Sequence, residues 1–126
     1  MFCRIYVTSK NINQKSLLID VSNLLHAELE NDAYIEKDGF SVEVRRNQDY
    51  DAKKEQYFPD GFLYFPFCIE IDIQDGISKI DAATEVGLVL QFLWKNNHTA
   101  IASCDFEELL PEGGGYKSKD IPWLRE

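Results

Sequence analysis

Residues 62–73, Phe-Leu-Tyr-Phe-Pro-Phe-Cys-Ile-Glu-Ile-Asp-Ile, carry an apolar side chain at every odd position from Leu63 to Ile73. A period of two marks a strand with one face in the core, so the pattern predicts a central strand over 62–73. The even positions change character along the run: aromatic Phe62 and Tyr64, then Pro66 and Cys68, then acidic Glu70 and Asp72. One face is core throughout. The other starts apolar and ends charged, and its apolar half needs a cover, from the chain's own tail or from a partner.

The remaining periods arrange themselves around that strand. Residues 2–8 alternate, with Cys3, Ile5 and Val7 against Arg4, Tyr6 and Thr8, which reads as a short first strand. Leu17, Leu18, Val21, Leu24, Leu25 and Leu29 recur at helical spacing. They predict a helix capped by Asn11 with Gln14, or by Asn13, and running to about residue 30, where Asn31-Asp32 ends it. Asp38-Gly39 separates two alternating segments within 33–46, a hairpin signal with Phe40, Val42 and Val44 facing inward. Residues 47–60 are polar and lack sustained periodicity, which predicts a surface connection and a candidate contact site. Ser78 with Asp81 resembles a capping box for a second helix over 79–95. Its core stripe is Ala83, Val86, Gly87, Leu90, Leu93 and Trp94, while Leu88 and Phe92 form a second apolar strip that also needs cover. Asn96-Asn97 supplies a left-handed stop, and 98–104 is a last strand of small residues.

The resulting expectation is an α+β fold in two or three layers: a mixed five-stranded sheet and two helices in the order β-α-β-β-β-α-β. Both helices pack on the odd-numbered face of the 62–73 strand, and the first and fourth strands are neighbours. Residues 1–126 form a single domain, with the tail 116–126 docked back on it through Trp123 and Leu124.

Composition sharpens this picture at two points. A chain of 126 residues, 44% of them hydrophobic, buries about two thirds of its unfolded surface without a disulfide or metal staple. Twenty-two acids against thirteen bases leave a net charge of −9, a field that repels nucleic acid and anionic membranes and attracts basic surfaces. The plainer reading is that this charge serves solubility. The three cysteines all sit in strand-like apolar surroundings, which predicts buried free thiols in a reducing, cytoplasmic setting. The N-terminus opens directly on strand-like residues and no apolar run reaches bilayer length, so neither export nor membrane insertion is expected.

Candidate chemistry is sparse. Gly-Gly-Gly-Tyr-Lys-Ser at 113–118 lacks the preceding strand, the spacing and the following helix of a phosphate loop. Asn47, Asp49 and Asp51 alternate like calcium ligands, but Ala52 and Phe58 stand where such a loop needs glycine and glutamate. His98 and Cys104 share one strand, which separates them by roughly 20 Å and excludes a thiol–imidazole pair. His26 falls off its helix's apolar stripe and reads as a solvated residue. No catalytic set, metal site or cofactor site follows. The acids Glu70, Asp72, Asp105, Glu107 and Glu108 gather near the predicted ends of two strands, and the aromatics Tyr57, Phe58 and Tyr64 are candidate anchors. These eight residues are the expected partner-binding set.

The element order, the acidity and the short docking tail give the chain a type-level resemblance to the small bacterial immunity proteins that neutralise toxins of contact-dependent growth inhibition and related polymorphic toxin systems. The segments Phe-Pro-Asp-Gly-Phe (58–62) and Cys-Asp-Phe-Glu-Glu-Leu-Leu-Pro (104–111) are its most distinctive stretches. The resemblance implies a cognate toxin with a basic surface, often a nuclease, bound tightly and without chemistry, and it leaves self-association open. The alternative is a dimeric ligand-sensing or regulatory domain of the ferredoxin-like kind, which follows if 33–46 is one bent strand rather than a hairpin.

Overall fold

The computed structural model describes residues 1–8, 13–29, 34–57 and 60–115. Its strands are β1 (Phe2–Thr8), β2 (Glu28–Leu29), β3 (Tyr34–Lys37), β4 (Phe40–Arg46), β5 (Phe67–Ile73) and β6 (Thr99–Cys104), with helices α1 (Gln14–Leu25) and α2 (Lys79–Lys95). They form one sheet ordered β2-β3-β4-β5-β1-β6. The α+β class and the adjacency of the first strand to the 67–73 strand are as expected. The two-residue β2 is an addition, and every pairing is antiparallel rather than mixed. The reason lies in the crossover: α2 joins β5 to β6, which run in the same direction, but β1 is inserted between them.

Both helices cover one face. Ile5, Val7, Val42, Val44, Ile69, Ile71 and Ile73 meet Leu17, Val21 and Leu25 of α1 and Val86, Leu90 and Leu93 of α2 in a single buried cluster. Local chemistry sets the helix ends. Asn13 caps α1, its Oδ1 accepting from the Ser16 N–H at 2.8 Å while the Ser16 hydroxyl accepts from the Asn13 N–H at 3.3 Å. Ser78 caps α2 through the Asp81 N–H at 3.1 Å, and Asn97 takes the left-handed conformation (φ 65°) after it. α1 stops at Leu25 instead of continuing to residue 30. His26 turns left-handed (φ 53°) there and, with Ala27, returns its N–H to the last carbonyls of the helix, freeing Glu28 and Leu29 to pair with β3. Lys37 pairs with Phe40 across Asp38-Gly39, where Gly39 supplies a φ of 82°. Residues 34–46 are thus a hairpin, not the bent strand on which the ferredoxin-like alternative depends.

The strand expected over 62–73 begins only at Phe67. Pro66 has no N–H to offer a ladder, and before it the chain coils as a 3-10 turn, Asp60–Tyr64. That turn folds over the face away from the helices. Phe62 and Phe65 bury themselves with Tyr6, Cys68 and Ile101 in a second small core, the Tyr6 and Phe62 rings meeting edge-on at 5.5 Å. Phe65, expected on the helix side, therefore lies opposite it and is fully buried. The apolar half of the second face is covered from within the domain. The tail 116–126, with Trp123 and Leu124, lies outside the described residues. No helix among the described residues is long and apolar enough to cross a membrane.

Candidate functional site

Because β5 and β6 are both antiparallel to β1, their C-terminal ends emerge on the same side of the sheet. Asp72 stands opposite Phe2, and Asp105 follows Cys104, which stands opposite Cys3. This brings the expected acids to one end of the molecule, and α2 starts there too after a short turn. The acids differ in what they are free to do. Asp72, Asp105 and Glu108 are exposed. Glu70 lies on the open sheet face, half-buried between Arg45 and Arg4, the latter at 3.5 Å. Glu107 accepts the Cys104 backbone N–H at 2.9 Å and so fixes the turn that leaves β6.

The expected aromatic anchors are elsewhere. Tyr57 is 67% exposed, and the Tyr64 ring is half-buried with the Lys54 ammonium 5.1 Å from its centroid. Both precede β5, whereas Asp72 lies near its far end, roughly 17 Å along the strand from Phe67. Phe58 lies outside the described residues. The connection that carries Tyr57 is built on internal bonds. Asn47 is buried, and its amide donates to the carbonyls of Leu63 (2.9 Å) and Phe65 (2.8 Å). Asp51 accepts from the N–H groups of Lys53 and Lys54 at 2.9 and 3.0 Å, capping the Lys54–Gln56 turn, and these bonds hold its carboxyl below the usual range. The alternation of Asn47, Asp49 and Asp51 is therefore turn chemistry. Among the described residues no group of His, Cys, Asp and Glu is arranged to hold a metal ion. His26 is exposed at the end of α1, and burial lowers the pKa of His98.

At the acidic end the structure adds a groove of about 340 Å³ between α2 and the chain that returns past it. Ile80, Ala83, Gly87 and Leu88 form one wall, and Leu109 and Pro111 the other. Gly87 sets the spacing, since a Cβ there would stand 3.2 Å from the Pro111 ring. Ile80, Leu88 and Leu109 are 71%, 44% and 47% exposed, an unusual state for three aliphatic side chains side by side. Asp81, Glu108 and Glu112, their neighbours in the chain, are exposed and make no ion pair with another described residue. Of the two residues in the expected second strip, Leu88 belongs to this groove and Phe92 packs against the core. Sequence reasoning missed Ile80 and Leu109. Ile80 was the more accessible of the two, because Ile80, Thr84 and Leu88 continue one line at i, i+4, i+8. Leu109 gives no such signal, because the adjacent Leu110 is buried and only tertiary packing distinguishes them.

No family model, curated protein or solved structure matches the chain.

Proposed function

We propose that this protein is a non-enzymatic inhibitor of the immunity type, which binds a cognate toxin, most naturally a nuclease, and blocks its active site. The supporting observation is the apolar groove of Ile80, Leu88 and Leu109, whose lining residues Ile80, Leu109 and Pro111 are followed or preceded in the chain by the exposed acids Asp81, Glu108 and Glu112. An apolar centre with a charged rim is the composition of a specific protein interface. A nuclease surface that holds a phosphate backbone is basic, so carboxylates offer it the same sign of charge as its substrate. Asp72 and Asp105, at the same end of the sheet, extend that acidic rim. The cytoplasm is the compartment in which such an inhibitor would meet its toxin before release.

The test is co-expression with the product of the adjacent reading frame. The neighbour alone is expected to arrest growth, and the pair to grow normally and co-purify. Leu88→Asp combined with Leu109→Asp replaces two exposed side chains, so the fold should persist while binding weakens roughly thirtyfold or more, about 2 kcal/mol. A harmless neighbour, or one that kills equally well in the presence of this protein, would overturn the immunity reading. Undiminished protection by the double variant would remove the groove from the interface. Binding that improves on deletion of residues 116–126 would assign the groove to the chain's own C-terminal segment, and a dimer lost in the double variant would assign it to a second copy.

A further inference from the structure

Cys3 and Cys104 face each other across β1 and β6. Both side chains are on the helix side of the sheet, Cys3 fully buried in the main core and Cys104 half-buried against it. The backbone hydrogen bonds identify the kind of rung they occupy. The Met1 amine donates to the Ile73 carbonyl at 2.9 Å, and the Ile73 N–H to the Met1 carbonyl at 2.8 Å. Odd positions of β1 thus direct their polar groups toward β5, away from β6. From the other side, the Cys104 N–H is donated to Glu107, and the Ala100 carbonyl accepts from the Trp94 indole at 2.8 Å. Cys3 and Cys104 therefore form a non-hydrogen-bonded pair, the rung at which Cα atoms are about 4.5 Å apart and side chains closest. That separation falls within the roughly 4.4–6.8 Å that a disulfide spans.

We propose that Cys3 and Cys104 are a thiol–disulfide modification site, oxidised by small-molecule disulfides of the glutathione class to a cross-strand bond that clasps β6 to β1. On this rung each thiol shifts the other's titration. The Cys3 thiol, helped by the Phe106 backbone N–H, holds the Cys104 thiol below its ordinary pKa against the effects of burial and of the Glu107 and Asp105 carboxylates. The Cys104 thiol, with burial, drives Cys3 upward. Cys104 is thus the attacking thiolate, and it is the partner within reach of solvent.

In the first step the Cys104 thiolate attacks one sulfur of oxidised glutathione, forming a mixed disulfide and expelling one glutathione thiolate. The Cys3 sulfur then attacks the Cys104 sulfur of the mixed disulfide and expels the second glutathione. The two protons that Cys104 and Cys3 give up pass through solvent to the two departing glutathione thiolates. The protein loses two hydrogens, and one glutathione disulfide becomes two thiols. Cys3 never has to meet the reagent. Cys68 stays reduced, because it lies on the opposite face beneath Phe62 and Phe65 and burial pushes its thiol up to about 11.

The experiment treats the full chain with excess oxidised glutathione, then unfolds it, alkylates it and weighs it. The expected product has lost the mass of two hydrogens, retains one alkylatable thiol at Cys68, and yields a linked peptide pair containing Cys3 and Cys104. Its Tm exceeds that of the reduced protein, and dithiothreitol reverses the gain. Cys3→Ser should stop at the first step and keep one glutathionyl group on Cys104. Should that variant not fold, Cys104→Ser serves in its place and should remain unmodified throughout. Three free thiols after oxidation, a link involving Cys68, or a mixed disulfide that persists on the parent protein would each overturn the assignment.

Discussion

Glu55 is the only charged side chain that the fold buries among the described residues, and its situation has a measurable consequence. It accepts the Thr8 hydroxyl at 3.3 Å. Burial raises its pKa above the ordinary 4.5, the Thr8 hydrogen bond and the Tyr50 hydroxyl oppose the shift, and the Asp51 charge adds to it. The folded state therefore holds this proton to a higher pH than the unfolded chain does. The associated stability is fully present below pH 4.5 and is lost as pH rises through the folded-state value. Glu55→Gln retains the shape and removes the titration. We expect its Tm to exceed the parent's at pH 7 and the difference to shrink below pH 4.5; a difference independent of pH would refute the account. The same scale separates Glu107 from Glu108: adjacent acids in the sequence, one bonded to a backbone N–H and one in solvent.

At the scale of elements, the informative unit is the pair of 3-10 turns between β4 and β5. Gly61 makes their contact possible, because a Cβ there would lie 2.5 Å from the Glu55 carbonyl oxygen and 2.9 Å from that of Lys54. Its N–H also donates to the Tyr57 carbonyl at 2.6 Å. Gly61→Ala should therefore separate the turns and loosen Phe62 and Phe65 from the second face, costing about 1–3 kcal/mol. A urea midpoint equal to the parent's would show that the contact relaxes freely. The hairpin and α2 were legible because their signals are local: Asp38-Gly39 specifies its own turn, and Ser78, Asp81 and the stripe of α2 lie within one element. The start of the 62–73 run has a strand-like pattern but coils as a turn, because Phe62 and Phe65 have strand-like composition while the partners that bend them back, Tyr6 and Ile101, are distant in sequence.

At the scale of the whole molecule, the net charge of −9 acts on encounter more than on fold. Reversing Asp105 and Glu108 to lysine adds four charges, taking −9 to −5. It should slow association with a basic partner about tenfold at low salt and flatten its salt dependence, leaving dissociation nearly unchanged. A change confined to the dissociation rate would mean that these carboxylates are buried contacts and not steering charges. The choice of Glu108 over Glu107 rests on the structure, since reversal of Glu107 would also break the turn after β6. The sequence alone determined the α+β class, the helix over 79–95 and the hairpin, because periodicity, caps and turns are properties of neighbouring residues. Only the tertiary structure decided that β1 inserts between β5 and β6, that Phe65 faces away from the helices, that Glu70 is held by two arginines, and that Cys3 meets Cys104. Each of these depends on which distant strands pair and in what register, and a shift of one residue in that register would move every side chain of a strand to the opposite face.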